Sequence, residues 1–368
     1  MNYLLFALFG CLGVYILFVI VFLSGLRKQK PLSTELPIFP RVAIVVAARN
    51  EEQNITNLLE DFSHLDYPID QLDIVIADDR SSDNTWSIIE DYSDQYSHIR
   101  GIHIQKESSD MTPKKYALTQ AIGQSNSEYI LSTDADCRIP RRWVKSMVCY
   151  LDSGSGIVVG ASSIDDSDST PFVHYQMIDF LALVAANAGA SGWGFSWTGT
   201  GQNLAYKRSA FEEIDGFHPV KNRVSGDDMY LVQAISKNHK STFNADAGSF
   251  VKTKAVSSIF TFLSQRIRWS SNSRMAAKTD RLFLLFLLNA FLLNTGILTG
   301  SFISTIQESV PMIFGIKFVC DALVIYSGAA ILQLSVPTIM FIVWSLLQPI
   351  YIPIIGLAGL AGRFSWKR

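Results

Sequence analysis

The stretch RVAIVVAARNEE, residues 41–52, sets the reading of the whole chain. It opens as an apolar, β-branched run, turns polar at Arg49, Asn50, Glu51 and Glu52, and continues into a helical pattern through Leu58, Leu59 and Phe62. A short apolar run closed by a polar turn and followed by 3.6-residue periodicity marks a strand feeding a helix. The unit recurs at residues 73–77, DIVIA, which lead into Asp78 and Asp79; SSDNT at 81–85 then supplies capping chemistry for a helix through Ile88 and Ile89. Further strands are expected at residues 99–104, 128–132 and 156–160. Strands alternating with helices predict an α/β domain with a mainly parallel sheet. Ligands of such sheets bind beyond the carboxyl ends of the strands, where the connecting loops converge.

Outward from this domain, the distribution of charge bounds the rest. The chain has 368 residues, 48% of them hydrophobic, and a net charge of -2. Residues 1–26, 282–307 and 322–362 contain no Asp, Glu, Lys or Arg, and nearly all charge lies between Arg27 and Arg281. The pattern is that of a membrane protein with one water-soluble insert of roughly 250 residues, large enough for its own core. A net charge so near zero provides no field to hold a nucleic-acid backbone. Cys11, Cys137, Cys149 and Cys320 form no CxxC pair and the six histidines form no HxxxH or HExxH pair. Reduced, buried cysteines and no zinc site are expected.

Residues 1–26 are too long for the apolar core of a signal peptide, lack an N-terminal positive charge and precede no small-residue cleavage site, so an uncleaved anchor helix is expected. The run ends in Arg27, Lys28 and Lys30, a basic flank that places the insert in the cytosol. Residues 282–307 form a second span behind Arg274, Lys278 and Arg281. As one helix, residues 322–362 would measure roughly 60 Å, twice what a crossing needs, so the segment divides at Pro337 into helices over 311–333 and 338–361. The first carries Lys317 and Asp321, four apart on one face, as a structural ion pair or as part of a substrate path. Three crossings after a cytosolic insert put the C-terminus outside, whereas Arg363, Lys367 and Arg368 favour the inside. Pro349 and Pro353 allow the last segment to be re-entrant or broken, which leaves two or three C-terminal spans.

Within the insert, acidic clusters follow the predicted strands. Asp78, Asp79 and Asp83 suit either helix capping or a ligand site, and the adjacent pair exceeds what one cap needs. Asp134 and Asp136, in TDAD at 133–136, sit two apart at a strand terminus, where both reach one hard divalent cation that neutralises a diphosphate. Asp227 and Asp228 open a helix through Leu231, Ala234 and Ile235, either complementing its dipole or acting as general base. QRIRW at 265–269 reads as an amphipathic interfacial helix in which Arg266 or Arg268 faces a pyrophosphate. GTGQNL at 199–204 lacks the third glycine of a dinucleotide fingerprint. Residues 161–197, with Trp193, Phe195 and Trp197 among glycines, are expected to be a mobile acceptor lid, with core packing as the alternative.

In their order along the chain, VAARNEE (46–52), IADDRSSDNT (76–85), KKYAL (114–118), STDAD (132–136), GTGQNLAYKR (199–208), SGDD (225–228) and QRIRW (265–269) resemble the membrane-bound family 2 glycosyltransferases with a GT-A nucleotide-sugar domain. The resemblance divides the chain into a transmembrane helix (1–26), a cytoplasmic GT-A domain (38–255), an interfacial segment (256–280) and a C-terminal transmembrane region (281–368). It implies that Ala48, Arg49, Glu51, Asp78 and Asp79 hold the uracil and ribose of a UDP-sugar, and that Lys114 approaches the diphosphate. Asp134 and Asp136 become the DxD motif, with Asp136 the more direct ligand of Mg or Mn. Gly201, Gln202 and Asn203, with Trp197, would line the sugar or acceptor pocket; Asp228 is similar to the catalytic base; Gln265, Arg268 and Trp269 resemble the Q-x-x-R-W signature that closes the donor pocket. Where the family more usually has Glu-Asp this chain has Gly226-Asp227-Asp228, so Asp227 shares or takes the base role. The implied activity is inverting sugar transfer to a lipid or lipid-linked hydroxyl in cell-envelope synthesis, at the cytoplasmic face of a bacterial inner membrane. A processive polysaccharide synthase and a non-catalytic nucleotide-sugar-binding scaffold are the alternatives.

Overall fold

The computed structural model describes residues 3–32 and 35–361. In chain order its elements are α1 (Tyr3–Leu26), β1 (Val42–Ala48), α2 (Ile55–Ser63), β2 (Leu72–Asp79), α3 (Thr85–Gln95), β3 (Ile99–Ile104), α4 (Pro113–Gly123), β4 (Tyr129–Asp134), β5 (Cys137–Arg138), α5 (Trp143–Asp152), β6 (Ile157–Gly160) and β7 (Ser162–Ile164). Then follow α6 (Pro171–Ser191), β8 (Leu204–Lys207), α7 (Arg208–Glu213), α8 (Asp227–Ile235), β9 (Ser241–Asn244), β10 (Val251–Thr253), α9 (Ile259–Ser270), α10 (Ser273–Thr279), α11 (Arg281–Gly300), α12 (Val310–Leu332) and α13 (Thr338–Ala361). They cluster as an α/β unit, 29–163 with 194–254, and a helical unit, 3–28 with 164–193 and 255–361.

The α/β unit is built on a seven-stranded sheet of order β3-β2-β1-β4-β8-β6-β9. β1 lies between parallel β2 and β4 and is apolar throughout because both its faces are covered. Val42, Ile44 and Val46 face a core shared with Leu58, Leu59 and Phe62 of α2 and Trp143 and Met147 of α5. Alternation sends Ala43 and Val45 to the face against which α4 packs. The sheet is parallel across β3-β2-β1-β4 and again at β6-β9, but β8 runs antiparallel to both β4 and β6. A second sheet joins β5, β10 and β7.

In the helical unit four helices are long and apolar enough to cross a membrane: α1, α11, α12 with the turn before it, and α13. α1 packs on α6, α11 and α12. Lys317 and Asp321 of α12 pair at 2.6 Å, and Tyr15 of α1 donates to the other Asp321 oxygen at 2.5 Å. The pair is therefore a structural tie between two helices. Residues 161–197 are not one lid loop: α6 occupies 21 of them, packs on α1, α12 and α13, and crosses α1 so closely that a Cβ on Gly25 would lie 1.8 Å from the Gly189 carbonyl. α6 also carries Asp179, whose carboxylate accepts from Arg266 of α9 at 2.6 Å and from Trp344 of α13 at 3.1 Å. α13 runs unbroken through Pro349 and Pro353. One end meets α12, where Tyr326 donates to Thr338 at 3.1 Å; at the other, Gly359 abuts Ser270 and Arg274 donates to the Leu360 carbonyl. Arg363, Lys367 and Arg368 lie outside the described residues.

Candidate active site

The carboxyl ends of β1, β2 and β4 bring the first acidic groups together. Registry sets Ala48 beside Asp78 and Ala47 beside Asp134, so the turns after three parallel strands share one edge. The turns after β1 and β2 are bonded to each other. Ser82 N–H donates to Asn50 Oδ1 at 2.8 Å, Asn50 N–H to Ser81 Oγ at 2.9 Å, and Glu52 N–H to Asp83 Oδ2 at 3.2 Å. Asp83 also accepts from Thr85 N–H and hydroxyl; burial opposes its ionisation, but these bonds outweigh burial and hold its pKa below the usual value. Asp83 thus ties the loops, while the cap position of α3 is Asn84, whose side chain makes no capping bond.

Asp78 is fully buried; one oxygen faces His103 Nδ1 at 3.0 Å, while Oδ1 has no partner among the described residues. Asp79 bonds Arg80 at 2.9 Å and faces Arg49 at 3.6 Å. Glu51 accepts from Asn54 at 2.7 Å. These groups line one edge with polar atoms in surplus of their protein partners.

A pocket beside them is lined by Lys114 of α4, Ser132 and Asp134 of β4, Gly201, and Asp227 and Asp228 of α8. Lys114 Nζ donates to Asp134 at 2.6 Å. Burial lowers the Lys114 pKa, but the carboxylates of Asp134, Asp227 and Asp228 outweigh it and leave the ammonium above its usual value. Asp136 is pushed up to about 6, first by burial and then by the charges of Asp134 and Glu51. Crowded hard oxygen donors with a proton held against their mutual repulsion suit a divalent cation. No group of three His, Cys, Asp or Glu forms a ligand cluster among the described residues. α8 begins at Gly226, whose φ of 88° turns the chain so that Asp227 and Asp228 stand in the helix's first turn.

Other expected residues lie elsewhere. Gly201 lines the pocket, open enough that a Cβ there would meet Lys114 Nζ at 3.5 Å. Gln202 has a buried Oε1 without a partner among the described residues. Asn203, expected at the acceptor, is fully buried: it accepts from Trp143 Nε1 at 2.8 Å and donates to the carbonyls of Ala161 at 2.7 Å and Ser249 at 3.1 Å, so its side chain holds the core together. Trp197 is 2% exposed and stacks on Phe195, which is core packing within the α/β unit. Gln265, Arg268 and Trp269 belong to the helical unit; Trp269 lies against Phe180, Gln265 accepts from Arg266 at 2.5 Å, and Arg266 rather than Arg268 is the buried guanidinium. Two residues were missed. Asp179 was detectable as a lone carboxylate in an apolar helix, which demands a partner. Lys115, masked by its neighbour Lys114, is 1% exposed and lies 4.0 Å from Asp227.

With this geometry in view, the comparisons say what the chain is similar to. Residues 43–215 match Glycosyl transferase family 2. The match takes in somewhat under half of the chain. The chain is 30% identical over 181 residues to "Probable glycosyltransferase YdaM" of Bacillus subtilis, covering 48% of this chain and 43% of that protein. It is 28% identical over 162 residues to the beta-monoglucosyldiacylglycerol synthase of Synechocystis, 41% of this chain and 32% of that one. Against the synthase of the same name from Trichormus variabilis it is 23% identical over 320 residues, 82% of this chain and 66% of that one. The chain thus spans less than two thirds of each of these relatives. Among solved structures, the mannosyltransferase PcManGT from Pyrobaculum calidifontis, in complex with GDP-Man and Mn2+, shares the fold with a TM-score of 0.61 at 19% identity, covering 96% of this chain and 97% of that one.

Proposed function

We propose that this protein transfers a sugar from a nucleotide-sugar donor to the hydroxyl of a lipid or lipid-linked acceptor at the cytoplasmic face of the membrane, with inversion. The observation that carries the reading is the meeting of Lys114, Asp134, Asp227 and Asp228 around one pocket on a family 2 domain. Relatives named as diacylglycerol glucosylating synthases support a lipid acceptor, and the Mn2+ bound by PcManGT supports a divalent cation.

In this reading the buried edge at Asp78 and Asp79 takes the nucleoside, with UDP as the expected carrier. Asp134 and Asp136 hold Mg or Mn, which when bound supplies positive charge to the diphosphate. Lys114 orients the diphosphate and stabilises it as it leaves. Asp228 accepts the acceptor's hydroxyl proton as the acceptor oxygen bonds to the sugar carbon from the opposite face, which inverts it. Gly201 and Gln202 border the sugar.

The test is nucleoside diphosphate release by the full chain in lipid, with Mn or Mg, across a panel of nucleotide sugars with native lipid extract as acceptor. Release from one donor, abolished by Asp228→Asn, is expected. No release from any donor would favour the non-catalytic scaffold, and a long polymer on a gel would favour processive synthesis.

A further inference from the structure

Lys115 is buried one residue beyond the lysine assigned to the diphosphate, and its ammonium needs a counter-charge there. Its Nζ donates to the Arg223 carbonyl at 2.5 Å and stands 4.0 Å from Asp227 Oδ1. Thr112, at the start of the same helix, bonds the same segment twice: its N–H donates to the Lys221 carbonyl at 2.9 Å and its hydroxyl to the Arg223 carbonyl at 3.2 Å. Residues 221–226 lead directly into α8, so the loop that aims the two aspartates is fixed by the helix that bears both lysines.

Consecutive residues of a helix project about 100° apart, so Asp227 and Asp228 do not present themselves to Lys115 alike. Asp227 is the carboxylate within ion-pair distance of Lys115, while Asp228 Oδ1 accepts from the Met229 N–H at 2.7 Å. We propose that Lys115 is a positioning residue: it takes Asp227 as its counter-ion and so assigns proton removal to Asp228. The assignment rests on the sugar-transfer reading of the site. In the step, the acceptor O–H proton passes to the Asp228 carboxylate, the acceptor oxygen bonds to the anomeric carbon, and the bond from that carbon to the diphosphate breaks with its electron pair leaving on the diphosphate. Asp227 takes no proton. The chain's departure from Glu-Asp is explained in the same way, because the shorter carboxylate is met by a lysine buried beneath it.

The experiment measures nucleoside diphosphate release by the full chain in lipid for Asp228→Asn, Asp227→Asn, Lys115→Met and the double variant Lys115→Met/Asp227→Asn, each checked for folding by thermal unfolding. Asp228→Asn should lower kcat about 1000-fold, within the range for loss of a general base. Asp227→Asn and Lys115→Met should each lower kcat roughly 10- to 100-fold through misplacement of the base, with donor KM unchanged. The double variant should lose no more than Lys115→Met alone, because the two residues act as one pair. Equal losses for Asp227→Asn and Asp228→Asn, or losses that multiply in the double variant, overturn the assignment. If Lys115→Met does not fold, the comparison of the two isosteric asparagine variants decides. A wild-type protein that releases nothing from any donor overturns the reading of the site itself, a result distinct from release with the wrong ranking of variants.

Discussion

In the helical unit each buried charge described above is matched: Asp179 meets Arg266 and Trp344, and Asp321 meets Lys317 and Tyr15. In the α/β unit, by contrast, Asp134, Asp136, Asp227 and Asp228 gather around Lys114 and Lys115, and one oxygen of Asp78 has no partner among the described residues. The difference follows from the solvent each unit meets. Hydrocarbon offers nothing to an unpaired charge, so ions there persist only as closed sets. A pocket open to water can hold carboxylates in excess, and an excess of one sign is what a cationic or metal-bridged ligand relieves. Closed ion sets tie the helices of the one unit together; crowded carboxylates mark the candidate site of the other.

Variants sharpen the contrast. Asp228→Asn, in the crowded set, should cut nucleoside diphosphate release about 1000-fold with little change in unfolding temperature. Asp179→Ala, in the matched set, leaves Arg266 buried without its partner and should cost about 3–5 kcal/mol in detergent unfolding, whereas replacing Asp179 and Arg266 together by Leu and Met should cost much less. A small loss in Asp179→Ala would break the distinction.

Proton linkage provides a subtler probe. In metal-free protein the folded state keeps a proton on Asp136 up to about pH 6, above the usual carboxylate value of 3.8. The stability this confers is fully present below that usual value and is lost as pH rises through about 6. A divalent cation competes with the same proton, so the rise in unfolding temperature on adding Mn should be small at pH 5 and larger at pH 7; equal rises would remove Asp136 from the metal site. The smallest effect is expected at Trp193, half exposed, with Lys28 Nζ 3.0 Å above its ring. Trp193→Ala should cost about 0.5–1 kcal/mol on unfolding and leave release unchanged.

The parallel half of the sheet was legible because strands buried on both faces leave continuous apolar runs: residues 41–47 and 99–104 coincide with β1 and β3 to within a residue. β8 was not, since LAYK is four residues inside a motif read for its glycines, and its antiparallel pairing with β4 has no local signature. Asp78 with Asp79 and Asp134 with Asp136 were read from their place after strands, and Asp227 with Asp228 from its place at the start of a helix. Which of them are engaged by neighbours was not visible, because Lys115, Arg223 and Asp227 meet only through contacts distant in sequence. α6 was misread as a loop for a similar reason. Its glycines look like breakers until Gly25 of α1 is seen pressed against Gly189. Asn203 looked like a pocket residue until its amide was found bonded into the core.

The two ends of α13 bear on the membrane topology. α11 and α12 form a hairpin, so the beginning of one and the end of the other emerge on the same side. α13 starts within reach of Tyr326, near the end of α12, and finishes against Ser270 and Arg274, just ahead of α11. Both its ends are therefore tied to neighbouring helices of the same unit, and as one unbroken helix of 24 residues it measures roughly 36 Å, enough to cross a bilayer. Three crossings and four put its far end on opposite sides of the bilayer. Reporters fused after residues 336 and 361 should be active on opposite sides of the membrane; activity of both on one side would remove the fourth crossing.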